Sequence, residues 1–286
     1  MISVATYRHL GDSLGLMCAI ANARLACPEL DIRYCGGYPD ILLGTDIPAT
    51  GRPPDIRCHY MDFGASEQTA STGTLCSGLT DSLARHLGRE VKLVIPHPPV
   101  KLCPHEFPLH KGAIVVNTNC QSCSTTKGYP RWREVLEGLE GEVVLMGGRE
   151  ERDIREDFKS LPSNVLDLRG ATSVRDLFRL VAWASCIVTP PSGVVHLSAG
   201  FGTPCVVLSG AREPVAHSGY PNTRHLSSCC PADSGRGRER GCMIHKVGAN
   251  EACGCVARVG GRDYAACMAA IRTEDVIEAV KEHRRK

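Results

Sequence analysis

The stretch from Val188 to Leu197 reads VTPPSGVVHL, a β-branched run halted by two prolines and followed by a Ser-Gly pair with a histidine four residues beyond the serine. Proline at a strand's end removes a ladder donor, Ser192 is a residue type that caps a following helix, and Gly193 lets a ligand approach that helix's first amides. Such a turn can hold an anion. His196 falls one turn into the same helix and faces either the ligand or, as a core histidine, the sheet. A second concentration of chemistry lies between Ser227 and Met268, where Cys229, Cys230, Cys242, Cys253, Cys255 and Cys267 stand amid glycines and charges. Clustered thiols in a reducing compartment suit a structural zinc or iron held by four thiolates; a set of free thiols is the alternative. Cys120 and Cys123 have Cys-x-x-Cys spacing, but two ligands cannot complete a tetrahedral site, so they read as loop thiols, with joining the later cysteines in space the alternative. His245 is a further ligand candidate.

The elements that position these groups alternate. Ile2–Tyr7 reads as a strand, a Gly-Asp turn follows, and SLGLMCAIANARLAC spreads its apolar residues widely round a helix. Asp31–Gly36, Ile56–Met61 and Lys92–Ile95 read as further strands, with a helix over Thr74–Gly88. Five prolines between Pro96 and Pro108 break helix and ladder alike and mark an interdomain linker. Strands then recur at Ala113–Thr118, Glu142–Gly148, Asn164–Gly170, Cys186–Pro190 and Pro204–Gly210, with helices beginning near Tyr129, Glu150, Ser173 and Ser192. This alternation implies parallel sheets with helices on both faces. The expected domains are 1–100, 109–226, and a Cys-rich segment with a terminal helix over 227–286.

A chain of 286 residues is long enough for two domains, each with its own core. Its 33 basic and 31 acidic residues leave a formal net charge of +2, which provides no global field for nucleic acid or membrane binding. The local runs Arg236–Arg240 and Glu282–Lys286 read as solvated surface. No stretch approaches a bilayer-spanning length, and the first residues lack a signal peptide's pattern, so the expected location is the cytoplasm. A disulfide framework is not expected there for the 16 cysteines; core thiols and metal ligands are.

The segments LGDSLGLMCAIANARLACPELDI, GYPRWREVLEGL, VVLMGG, LRGATSVRDLFRLVAWASCIVTPPSGVVHLSAGFGTPCVVLSG and IRTEDVIEAV occur in the order and spacing of glycosyltransferase family 9, which the chain resembles over nearly its whole length. The resemblance implies a GT-B architecture, two Rossmann-like domains facing across a cleft, with the acceptor on the first and a nucleotide-diphospho-sugar on the second. It also implies an inverting reaction: one displacement at the anomeric carbon, a base for the acceptor proton, and positive charge or amide dipoles for the departing diphosphate. No catalytic cofactor is expected. By this resemblance Asp12 is the base, although a carboxylate there also suits a helix cap. Lys127, with Thr125 and Thr126, matches the diphosphate-binding position, Gly147 and Gly148 match the strand end that the nucleotide approaches, and Ser192, Gly193 and His196 match the donor turn.

One departure is visible. Pro191 stands where the family pattern has aspartate before Ser-Gly, so an acceptor group for donor hydroxyls is absent. An ADP-sugar is the favoured donor, heptose or a related sugar the expected group, and a glycan, lipid or protein the expected acceptor. Peripheral contact with the inner face of a membrane is compatible with a lipid acceptor. Two alternatives remain: a nucleic-acid acceptor, suggested by the basic runs, and a non-catalytic sugar-nucleotide-binding protein, suggested by Pro191 and the cysteines. The resemblance neither requires nor excludes a metal.

Overall fold

The computed structural model of the chain describes residues 1–6, 9–59, 73–118, 127–148, 160–210, 214–227 and 256–284. Strand β1 (Ile2–Ala5) leads into helix α1 (Leu10–Ala26), and β2 (Ile32–Tyr34) and β3 (Ile56–Arg57) flank β1 in parallel. Helix α2 (Leu75–Leu87) packs along α1. Its ends follow from local chemistry: Thr74 Oγ1 accepts the Ser77 amide at 3.2 Å, and Gly88 takes the left-handed φ of 61° that stops the helix. Helix α1 is buried along most of Ser13–Ala23, because α2, the first sheet and a helix of the second unit surround it. A helix apolar on nearly every side needs such cover.

The second sheet has six parallel strands, β4 (Ile114–Asn117), β5 (Val143–Met146), β6 (Val165–Asp167), β7 (Cys186–Thr189), β8 (Cys205–Leu208) and β9 (Thr223–Leu226), ordered β6-β5-β4-β7-β8-β9. Strands β4, β5, β7 and β8 are buried at every position, which is why their sequences are apolar runs rather than alternating ones, polar only at Asn117 and Thr189 where β4 and β7 end. Helices α3 (Trp132–Gly138), α4 (Val174–Trp183) and α5 (Gly193–Phe201) lie between them in the chain. The Ser173–Asp176 capping box opens α4 where the sequence places it. The helix expected near Glu150 lies outside the described residues. An antiparallel hairpin, β10 (Val256–Val259) and β11 (Arg262–Ala265), leads through α6 (Ala266–Ala269) to α7 (Thr273–His283). Val276, Ala279 and Val280 of α7 join Trp132, Val135 and Leu136 of α3 in one buried cluster, and Thr273 Oγ1 donates to Glu134 Oε2 at 2.9 Å.

Lys92–Ile95, expected as a strand, is not one among the described elements. The amides of Val94 and Ile95 each donate to Asn22 Oδ1 at 2.8 Å, and Asn22 Nδ2 donates back to the Ile95 carbonyl at 2.9 Å. The buried side chain of one residue on α1 thus takes the bonds that a neighbouring strand would have made. The segment continues to Pro108 as a strap fastened to both units. A Cβ on Gly200 of α5 would lie 2.4 Å from Val100 Cγ2 and 2.7 Å from the Pro98 carbonyl oxygen, so the strap lies directly on that helix. From α4, Arg175 pairs with both carboxylate oxygens of Glu106 and donates to the carbonyls of Lys101 at 3.0 Å and Asp40 at 3.3 Å. That arginine joins the strap, the first unit and the second unit at a single side chain.

Candidate active site

Strand β4 sits where the order of the second sheet reverses, with β5 on one side and β7 on the other. In open parallel sheets, ligands bind beyond the carboxyl ends of the strands at such a point. The residues delivered there are Asn117 and Thr118 after β4, and Thr189 to Ser192 after β7. Asn117 is buried, and its Nδ2 donates to Thr189 Oγ1 at 3.1 Å and to Ser192 Oγ at 3.3 Å. Thr189 Oγ1 donates its proton to the Pro190 carbonyl at 2.8 Å. The 3.0 Å contact between the two hydroxyls is therefore donated by Ser192.

This corrects the expectation that Ser192 caps the helix after β7. Ser192 holds the N-cap position of α5 with an extended backbone, φ −155° and ψ 173°, yet its own side chain makes no capping bond to the helix. Its hydroxyl is committed sideways, to Thr189 and Asn117. The first amides of α5 keep the partial positive charge of a helix start.

Asp12 arrives at this place from the other unit. It is the third residue of α1, half-buried in the first helical turn, and His9 rather than Asp12 occupies the N-cap position. The aspartate is the acidic residue of the first turn rather than the N-cap residue itself. The starts of α1 and α5 abut through glycine: a Cβ on Gly193 would stand 2.8 Å from the Gly11 nitrogen, and one on Gly11 would stand 3.3 Å from both Gly193 Cα and His196 Cδ2. Two helix N-termini from different units thus converge, with a carboxylate on one and the Ser-Gly turn on the other.

His196 is buried on α5, with Nδ1 2.8 Å from Tyr220 Oη and its ring edge-on to those of Tyr220 and His217. The tyrosine hydroxyl also lies 3.4 Å from Cys76 Sγ on α2. Burial and the neighbouring Cys76 push the phenol well above its usual titration range, so Tyr220 stays neutral as a hydrogen-bonding group. Lys127 is buried too, and its Nζ donates to the Pro191 carbonyl at 3.2 Å. The position where the family pattern carries an aspartate side chain thus still presents an oxygen, from the backbone. Among the described residues, a Cβ on Gly148 would meet nothing within 4 Å. Gly147 precedes it, and its carbonyl accepts the Gly170 amide at 2.9 Å. Thr125 and Thr126 lie outside the described residues. Asn117, Thr189 and Tyr220 were not singled out from sequence; the final polar position of the apolar run AIVVN was the one available signal for the first.

Seven of the nine described cysteines are buried, as core thiols. Burial raises the thiol of Cys186 to about 12 and pushes Cys205 up as well, so neither is a ready thiolate. Among the metal candidates only Cys267 is described, buried at the start of α6; Cys229, Cys230, Cys242, Cys253 and Cys255 lie outside the described residues, as do Cys120, Cys123 and His245. Among the described residues there is no group of three or more His, Cys, Asp or Glu side chains placed to hold a metal.

Comparison with known proteins agrees with this architecture. Residues 100–247 match glycosyltransferase family 9 (heptosyltransferase). Comparison with curated proteins returns no match. Among solved structures, the family 9 glycosyltransferase from Veillonella parvula DSM 2008 is similar with a TM-score of 0.64 at 14% identity, over 98% of this chain and 96% of that one. The ADP-heptose lps heptosyltransferase II of E. coli aligns with a TM-score of 0.58 at 13% identity, over 99% and 98%. The iron-containing dodecameric glycosyltransferase TibC from enterotoxigenic E. coli H10407 aligns with a TM-score of 0.60 at 17% identity, over 98% of this chain and 77% of that one. With the family match covering more than half its length and the two-unit fold shared with these enzymes, the chain belongs to glycosyltransferase family 9 and has its GT-B fold.

Proposed function

We propose that the chain is an inverting glycosyltransferase that moves heptose or a related sugar from an ADP-sugar to a glycan, lipid or protein acceptor. The observation that supports this reading is the abutment of Gly11 and Gly193, which brings the helix start that carries Asp12 against the Ser-Gly turn of the second unit. The structures of E. coli WaaC with ADP and of TibC with ADP-D-beta-D-heptose support the choice of donor.

In this reading the diphosphate lies across the start of α5, between its first amides and Lys127. Both groups stabilise charge that grows on the leaving oxygen as the glycosidic bond breaks. Asp12 takes the acceptor hydroxyl's proton while that oxygen attacks the anomeric carbon from the opposite face, and one displacement inverts the centre. His196, held by Tyr220, supports the turn from beneath. Pro191 offers no side-chain acceptor, so the sugar's hydroxyls meet a backbone carbonyl where a carboxylate is usual. The chain should therefore discriminate among sugars differently from relatives that carry the aspartate.

The cysteine cluster supports a structural zinc or iron. Sulfur donors fit both metals, and TibC is described as iron-containing. Cys267, buried at the start of α6, would supply one of the four sulfur ligands. The metal would order its segment and take no part in transfer.

The deciding experiment is a thermal-shift screen against nucleotide sugars, followed by assay of free nucleotide released with and without candidate acceptors. Stabilisation grows with ligand concentration relative to Kd, so the true donor stands out at saturating concentration. Stabilisation by ADP-sugars with release of ADP supports the reading, and indifference to every nucleotide sugar rejects it.

A further inference from the structure

A serine at an N-cap normally turns its hydroxyl onto the amides of the first helical turn. Ser192 has the backbone conformation for that, so only its choice of rotamer prevents it. What holds the rotamer is a partly buried chain of donors and acceptors. Thr189 spends its proton on the Pro190 carbonyl, Ser192 therefore donates to Thr189 Oγ1, and Asn117 Nδ2 donates to both hydroxyl oxygens. Prolines 190 and 191 carry no N–H that could compete for either oxygen. Asn117 is the member that fixes the direction, because it comes from a different strand and bridges the carboxyl ends of β4 and β7.

We propose that Asn117 is a positioning residue of the donor site: by holding Ser192 Oγ against Thr189, it keeps the first amides of α5 uncapped for the diphosphate of the donor. The role rests on the donor-site reading above. Without the asparagine amide, Ser192 turns inward and caps the helix, and its oxygen then occupies the place where a phosphate oxygen would accept. The helix itself gains from that cap. Loss of Asn117 is thus expected to weaken ligand binding without an equal loss of helix stability, which sets this role apart from packing.

The test uses the full chain and measures Kd by calorimetry for ADP, UDP, GDP and CDP, each beside its nucleoside. Asn117→Leu keeps volume without a donor, and Asn117→Ala serves if leucine prevents folding. Either should weaken the tightest-binding diphosphate about tenfold or more, the scale of one hydrogen bond to a charged group, and leave its nucleoside unaffected. Adding Ser192→Ala removes the competing cap, so the double variant should bind that diphosphate more tightly than the Asn117 variant alone. A merely structural asparagine would show no such rescue. Equal diphosphate affinity in wild type and the Asn117 variant, or a double variant no tighter than the single one, overturns the role while leaving the donor site in place. Failure of the wild-type chain to bind any nucleoside diphosphate overturns both.

Discussion

A Cβ atom on Gly193 would stand 2.8 Å from the backbone nitrogen of Gly11 and 3.2 Å from Leu10 Cβ, so these two helix starts meet at a distance that no side chain permits. Gly193→Ala should force α1 and α5 apart by several tenths of an ångström. Reacting groups carried on the two helices would lose their alignment, and turnover should fall on the order of tenfold to a hundredfold. Steady-state assay beside thermal unfolding checks this; wild-type turnover in a folded variant rejects it.

Asp12→Asn should reduce transfer on the order of a hundredfold or more, because asparagine keeps the size of the side chain and cannot take a proton. Asp12 is not the N-cap of α1, so the thermal midpoint should change little. Donor affinity measured by calorimetry should stay near that of the parent. Unchanged turnover would remove Asp12 from the chemistry.

Lys127→Met keeps most of the buried stem and removes the charge. The diphospho-sugar should bind roughly tenfold or more weakly, while the nucleoside binds as before. Comparing the two Kd values separates loss of a phosphate contact from general damage. A uniform loss for both ligands would point to damage.

Arg175 and a bond from the Cys103 amide hold the Glu106 carboxyl down to about 2, against an ordinary 4.5. A depressed carboxyl contributes stability that is present in full above its unfolded value and disappears as pH falls through the folded one. The strap's contribution should therefore be lost between about pH 4.5 and about pH 2. Glu106→Gln should cost on the order of 1–3 kcal/mol at neutral pH and flatten the stability profile across that acid window. Denaturant melts at a series of pH values measure both effects.

Protein purified without a histidine tag should contain about one zinc or iron per chain by plasma emission. Serine at Cys242 or at Cys267 should lower metal content and thermal midpoint together. A stoichiometry near zero, with the unburied thiols titrating freely, would show only free cysteines.

The buried strands were legible because a strand covered on both faces reads as an unbroken apolar run, as in VVLM and CVVL. Lys92–Ile95 carries a similar apolar run after its lysine but is fixed by Asn22, 72 and 73 residues earlier in the chain than the Val94 and Ile95 amides it binds, and no local pattern announces that contact. Strand β9, TRHL, was missed because each of its residues is only half-buried and no apolar run forms. At the site, the Ser-Gly turn and Asp12 stood out by residue type. The direction of the Ser192 hydroxyl did not, since it depends on Asn117 from another strand. Tyr220 was equally hidden, reaching His196 from 24 positions further along the chain.

Helix α5 is gripped at both ends by contacts that admit no side chain, at Gly193 by α1 and at Gly200 by the strap. The six residues between them complete a strut of about 10 Å at the usual helical rise. A shift of the turn on ligand entry would be carried along this strut to the strap, whose Phe107 side chain is 71% exposed. A fluorescent amino acid encoded at position 107 would then work as an optical gauge of site occupancy, read without substrate turnover and without disturbing any residue at the turn.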